Sequence, residues 1–371
     1  MNELRVAAGH VVALRLFDVA FAIDLARAEA LWSRHAAGRA ARSRLSGTPP
    51  KAVAFGVAPL AIALDPIDLA LEAGNVPAGV TARLYDFGAV SIALRVAVAD
   101  LPWDGYVGVL NAIGRAVAPA MSAGLWQGLL GQVTTVLAAA MVRRVAKAVD
   151  EDYLVGTVQA FSESLGAADL LQRVDLVPLL SGERRPLSDG ARAELLRQRF
   201  SYYPDDLVVL TWDRAFILEP RGDNDVADVL EVANAQLLEM RYYDELLDDE
   251  LPRMYDLVET ARRGMNVFAS RRYATLARRL YTLVAEVTEL TERVDNALQV
   301  TEDVYLARIY AAALELYRVP LVTAAVNRKI AIIRDTYQAL YDEASSARSE
   351  VMEIAVIVLI MVEVVLALFR H

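Results

Sequence analysis

The chain has 371 residues, a net charge of −10, an apolar share of 56% and no cysteine. Its length allows two or three domains and a sizeable core. Without cysteine there are no disulfides, thiolate metal sites, iron–sulfur clusters or cysteine nucleophiles. The acidic balance argues against bulk nucleic-acid binding, DNA included, and against broad adhesion to anionic lipid.

No signal peptide is read at the start, because Arg15, Asp18 and Asp24 interrupt the early apolar residues. Val11 to Phe17 predicts a first strand. Asp18 is then expected to cap a helix through Ile23, Leu25, Ala26 and Trp32. Arg39 to Pro50 is loop-like. Ala52 to Leu64 predicts one or two strands, and Asp65-Pro66 the start of a short helix. Thr81 to Val96 is the clearest hairpin. Val90, Ile92, Leu94 and Val96 alternate as a half-buried strand demands, and Asp86 to Gly88 supply the turn. With a helix from Trp103, this predicts an α+β layer with helices on one face of a sheet.

Ala116 to Val142 carries no charge. Its Ala, Gly, Thr and Gln content predicts helices packed on the sheet, with a membrane or re-entrant segment as the alternative. Gly124, Gly128 and Gly131 then serve close packing. Asp150 to Phe200 reads as helical pieces with a loop at Leu180 to Pro186. Asp206 to Glu219 predicts a second hairpin, turning at Thr211 to Arg214.

From Asp225 the pattern is helical. Leu276, Leu280, Leu283, Val287, Leu290 and Val294 step by four and three, a heptad seam over about four repeats with its continuation to Val304. Pro320 marks a break. A second seam follows through Val326, Ile330, Ile333, Tyr337, Leu340 and Ala344. Two long helices in a coiled hairpin are expected, and an intramolecular pair and an intermolecular coil fit equally. Val351 to Phe369 is aliphatic on every side. At about 1.5 Å per residue it reaches roughly 28 Å, near the hydrocarbon thickness of a bilayer, which predicts a single-pass anchor. A buried core or oligomer helix of a soluble assembly is the alternative, and an interfacial helix, disfavoured by the lack of a wide polar face, the third. Glu353 lies near its start and Glu363 inside it. A carboxylate there marks a functional candidate, sealing an oligomer through a shared proton or meeting a partner helix, with a tolerated interface residue as the plain alternative.

Few residues form chemical constellations. His10, His35 and His371 share no ligand spacing, and neither phosphate-loop nor zinc-helix motifs occur. Asp244 and Asp248 share a helix face at i, i+4. That spacing admits a Mg²⁺ or Ca²⁺ site, against the plainer reading of a solvated helix end. Arg271, Arg272, Arg278 and Arg279 form a basic stripe suited to phosphate from RNA or lipid headgroups, or to ordinary pairing with Glu along the coil.

Four stretches resemble one family in order: Tyr85-Asp86-Phe87-Gly88-Ala89-Val90, Tyr243 to Asp248, Asn327-Arg328-Lys329-Ile330, and Leu359-Ile360-Met361-Val362-Glu363-Val364. They are similar to motifs of the "required for meiotic nuclear division" family. That resemblance implies an integral membrane protein with no established reaction, whose mitochondrial members support organellar translation.

The expected architecture is α+β: an N-terminal sheet-and-helix domain (1–222), a helical hairpin or coiled-coil region (223–350), and a single C-terminal transmembrane helix (351–369). The expected function is a non-enzymatic, membrane-anchored scaffold that forms homo-oligomers through its helices and needs no cofactor. Its body is expected in the cytoplasm, at a bacterial inner membrane. A tether for RNA or ribosomes through the Arg stripe is the alternative, and an enzyme with a metal near the acidic cluster the third.

Overall fold

A computed structural model describes residues 4–35, 40–42, 58–145, 149–222, 225–263 and 303–368, with 275, 278, 281–282, 284–285 and 287–288. In chain order the strands and helices of the first part are β1 (Arg5–Asp18), β2 (Ala20–Ile23), α1 (Leu25–His35), β3 (Ala40–Arg42), β4 (Leu60–Leu71), β5 (Gly74–Leu84) and β6 (Ala89–Pro102). Then come α2 (Trp103–Val117), α3 (Pro119–Val136), β7 (Met141–Arg144), β8 (Asp150–Phe161), α4 (Ala167–Arg173), α5 (Val177–Ser181) and α6 (Asp189–Leu195). The remainder is β9 (Gln198–Phe200), β10 (Leu207–Leu210), β11 (Arg214–Leu218), α7 (Asp225–Arg263), α8 (Val304–Leu316) and α9 (Val319–Leu368). The fold is therefore mixed α+β, a sheet followed by helices.

Among the described residues, nine strands form one sheet in the order β3-β4-β5-β6-β1-β8-β11-β10-β9, and β2 pairs with β7 separately. All pairings in the large sheet are antiparallel except β8 with β11. Leu84 pairs with Val90 across the expected 81–96 hairpin. Its turn is fixed by Gly88, at φ +105°, whose notional Cβ would fall 1.6 Å from the Ala20 carbonyl oxygen. Only glycine tolerates that approach and that φ.

Several expectations are corrected. Asp18 is the last residue of β1 and caps no helix. The chain continues as β2, and Asp24 caps α1 by accepting from the Arg27 amide at 3.0 Å. The helix expected at Asp65-Pro66 is strand β4 instead, with Pro66 at a register irregularity between Leu64 and Ile67, where its missing N–H breaks no ladder bond. β8, expected as part of a mostly helical stretch, is a central strand beside β1.

Helices cover both faces of the sheet, not one. On one face Val11, Ala13, Phe17 and Leu154 pack with Tyr106, Leu110, Trp126 and Val133 of α2 and α3. Trp126 donates to the Val117 carbonyl at 2.9 Å. The 116–142 stretch is thus the end of α2, then α3, which is kinked at Ser122, and the first residues of β7. On the other face Tyr153, next in β8 to Leu154, meets Tyr317 just past α8 at 5.4 Å. Its hydroxyl donates towards the carbonyls of Thr211 and Arg214.

The chain divides into two compact units: residues 1–239 with 293–320, and residues 240–292 with 321–371. The first holds the sheet, the start of α7 and all of α8. Asp303 caps α8 by accepting from the amides of Tyr305 and Leu306. Arg318, at φ +59°, ends that run before α9 begins. No Gly or Pro follows Pro320 within α9, so nothing interrupts 50 residues of helix.

Candidate functional site

Two places in the described residues are chemically unusual, one in each unit. In the first unit, Arg83 of β5 donates to Glu231 of α7 at 2.7 Å and to Asp228 at 2.9 Å. Tyr85, two residues on and just past the end of β5, donates its hydroxyl to the other oxygen of Glu231 at 2.9 Å. Burial works against the Arg83 charge, yet the Glu231 and Asp228 carboxylates outweigh it and hold its pKa well above normal. Burial first, then Glu231, pushes the Tyr85 phenol up. A buried cation with paired carboxylates and satisfied donors fixes geometry. The cluster ties α7 to the sheet.

The sequence reading missed this cluster, although two signals were present. Arg83 falls at an alternating position between the buried Ala82 and Leu84. Glu231 interrupts an apolar helical run from Val229 to Leu238.

On the same face of β1 lie two further buried titratable groups. Burial, and then the neighbouring Arg95, lowers the His10 imidazole to about 4, and its Nδ1 lies 3.2 Å from the Arg95 guanidinium. Burial raises the Asp18 carboxyl to about 7, against a backbone hydrogen bond from Ala20. His35 sits 5.8 Å from Trp32 in α1, and His371 lies outside the described residues. Among the described residues, no group of three or more His, Asp or Glu side chains converges on a metal-sized space.

The second unit holds most of the residues singled out from sequence. Asp244 and Asp248 do come together, but around a lysine: Lys329 Nζ of α9 lies 2.6 Å from a carboxylate oxygen of each. It also donates to the Asp244 carbonyl at 3.1 Å. Burial opposes the ammonium charge, and the two aspartates more than restore it. An ammonium thus stands where a divalent cation was considered. Of the heptad seam, Val287 is helical and buried, while Leu276, Leu280, Leu283, Leu290 and Val294 lie outside the described residues. Of the Arg stripe, Arg278 is helical and exposed, and Arg271, Arg272 and Arg279 lie outside them.

The second unusual place is the far part of α9. Every apolar residue from Val356 to Leu366 is exposed, at 48% to 64%, around the whole circumference. Glu363 is exposed among them. A helix apolar all round is ordinarily covered, by protein or by lipid.

Comparison with known proteins places the sheet. The family model described as "Uncharacterized protein MJ0711, N-terminal domain" matches residues 8–224, more than half of the chain. The chain belongs to that family. Uncharacterized protein MJ0711 of Methanocaldococcus jannaschii is similar to it, at 24% identity over 196 residues, 53% of this chain and 59% of that protein. The chain therefore spans less than two thirds of the length of this curated relative. No solved structure matches.

The MJ0711 match overturns the resemblance to the meiotic nuclear division family. The Tyr85 to Val90 motif lies inside the matched region, and its residues are accounted for locally. Gly88 is demanded by the turn, and Tyr85 and Phe87 by stacking at 5.1 Å. The other three motifs are short and lie beyond residue 224.

Proposed function

We propose that this chain is a non-enzymatic, membrane-attached scaffold, with the apolar part of α9 held in a bilayer and the helical region gathering copies. The observation that carries this reading is the uncovered run from Val356 to Leu366. Among the described residues no single helix is long and apolar enough to cross a membrane, and Val356–Leu366 is a shorter apolar helix. In sequence the run extends on both sides, from Val351 to Ala355 and through Ala367, Leu368 and Phe369.

The energetics favour lipid. Each Leu, Ile or Val in a membrane helix contributes about −0.3 to −0.6 kcal/mol, so the twelve in Val351 to Phe369 outweigh one central charge at about +2.5 to +3.5 kcal/mol. Glu363 lies off-centre in the run, which lowers its cost further.

One bent pair, Val304–Leu316 with Val319–Thr336, is together long and apolar enough to cross. Leu306, Ile309, Ala313 and Val319 within it are buried, as in the core helices of a folded body.

Alkaline extraction of membranes from expressing cells tests the reading. The intact chain stays with the lipid, and a chain truncated after Glu350 is released. Release of both contradicts it.

A further inference from the structure

The exposed part of α9 is not uniform around its axis. At about 100° per residue, Glu353, Val356, Ile360, Glu363 and Ala367 fall in one stripe roughly 80° wide, stepping by three and four. Both carboxylates of the run lie in this stripe. The rest of the circumference carries only Val, Ile, Leu, Met and one Ala. Glu353, Val356, Ile360 and Glu363 are all exposed. Upstream, the buried face of the same helix holds Val326, Ile330 and Ile333. Continued in heptad register, that face reaches Ile354, Val358, Met361 and Val365, a different side from the stripe.

We infer that the stripe is a contact between two copies of this chain, packed in parallel, with the Glu363 carboxyls hydrogen-bonded to each other. The inference rests on the anchoring proposed above. Lipid offers a carboxyl no partner, so the side bearing both glutamates is the side that packs, and the aliphatic remainder meets the acyl chains. Copies inserted with one orientation run parallel, and a parallel two-helix seam sets each position opposite its own counterpart. Glu363 then faces Glu363. The O–H of one carboxyl donates to an oxygen of the other. A carboxyl pair is self-complementary in this way, so a second copy satisfies it without a cation from any other protein.

The absence of cysteine makes the test direct, since a single introduced thiol has no background. Full-length chains carrying Val356→Cys, Ile360→Cys, Val358→Cys or Val365→Cys are reconstituted in phosphatidylcholine vesicles and oxidised. Covalent dimers are expected at 356 and 360 at least tenfold above 358 and 365. Adding Glu363→Leu lowers them severalfold, whereas Glu363→Gln, which keeps a donor and an acceptor, retains them. Equal cross-linking at all four positions, none in chains that stay in the vesicles, or indifference to Glu363→Leu overturns the inference while leaving the anchor standing. In native membranes, cross-links at 356 and 360 that join only a different polypeptide overturn it too. Chains washed from the vesicles at alkaline pH overturn the anchor, and this contact with it.

Discussion

Arg83 and Glu231 meet at 2.7 Å although 148 positions separate them along the chain. One belongs to a strand of the sheet and the other to the first turns of α7, so this contact holds the start of α7 on the sheet within the first unit. Both side chains are largely withdrawn from water, at 18% and 8% exposure. Removing the cation takes the Arg83 counter-charge away from two largely buried carboxylates, Asp228 and Glu231.

Arg83→Met is therefore expected to destabilise the fold by about 3–5 kcal/mol. Tyr85→Phe, which deletes one hydrogen bond to a charged acceptor, is expected to cost about 1.5–3 kcal/mol. Urea unfolding followed by tryptophan fluorescence measures both. A loss under about 1 kcal/mol for Arg83→Met contradicts the role given to the cluster.

Gly88→Ala is expected to prevent folding. The new methyl group would lie 1.6 Å from the Ala20 carbonyl oxygen, at a φ of +105° that alanine resists. A loss above about 4 kcal/mol follows, diagnostic of a backbone clash. Soluble yield and circular dichroism report it, and a folded, near-native variant contradicts the turn.

Two buried groups oppose each other in acid. His10 takes up its proton at 6.5 when unfolded but only near 4 when folded. The unfolded state binds more protons in between, so stability falls as pH drops from about 6.5 to 4. Asp18 releases its proton near 3.8 unfolded and near 7 folded. Here the folded state binds more protons, so stability falls as pH rises from about 4 to 7. Asp18→Asn is expected to gain on the natural chain steadily across that rise, and His10→Gln to lose the acid sensitivity. Unfolding free energies at several pH values check the signs, and a flat Asp18→Asn difference contradicts the Asp18 assignment.

Lys329 already neutralises Asp244 and Asp248. Millimolar Mg²⁺ is therefore expected to leave the melting temperature of the natural chain unchanged, and to raise that of Lys329→Ala. The variant itself loses only about 1 kcal/mol, because Asp248 is 63% exposed and solvent screens the pair. A Mg²⁺-dependent shift in the natural chain contradicts the lysine clamp.

What the sequence disclosed follows from where each element lies. The 81–96 and 206–219 hairpins were legible because turn residues stand between short apolar arms. β8 was not. Tyr153 to Val158 are buried on both faces of the sheet, so the period-two alternation that announces a strand is absent. β4 was obscured by Pro66, which reads as a helix start and sits in fact at a strand irregularity. The pairing of Asp244 with Asp248 followed from helical spacing alone, while the lysine between them came from α9, 85 positions away from Asp244. Local spacing does not name the distant partner in such a tie.

The central claim concerns the apolar end of α9, and one measurement reaches it most directly. Membranes containing the intact chain, and parallel preparations of the chain truncated after Glu350, are washed at alkaline pH and sedimented. The account predicts the intact chain in the pellet and the truncated chain in the supernatant. An intact chain that sheds from the membrane and runs as a monomer without detergent contradicts it.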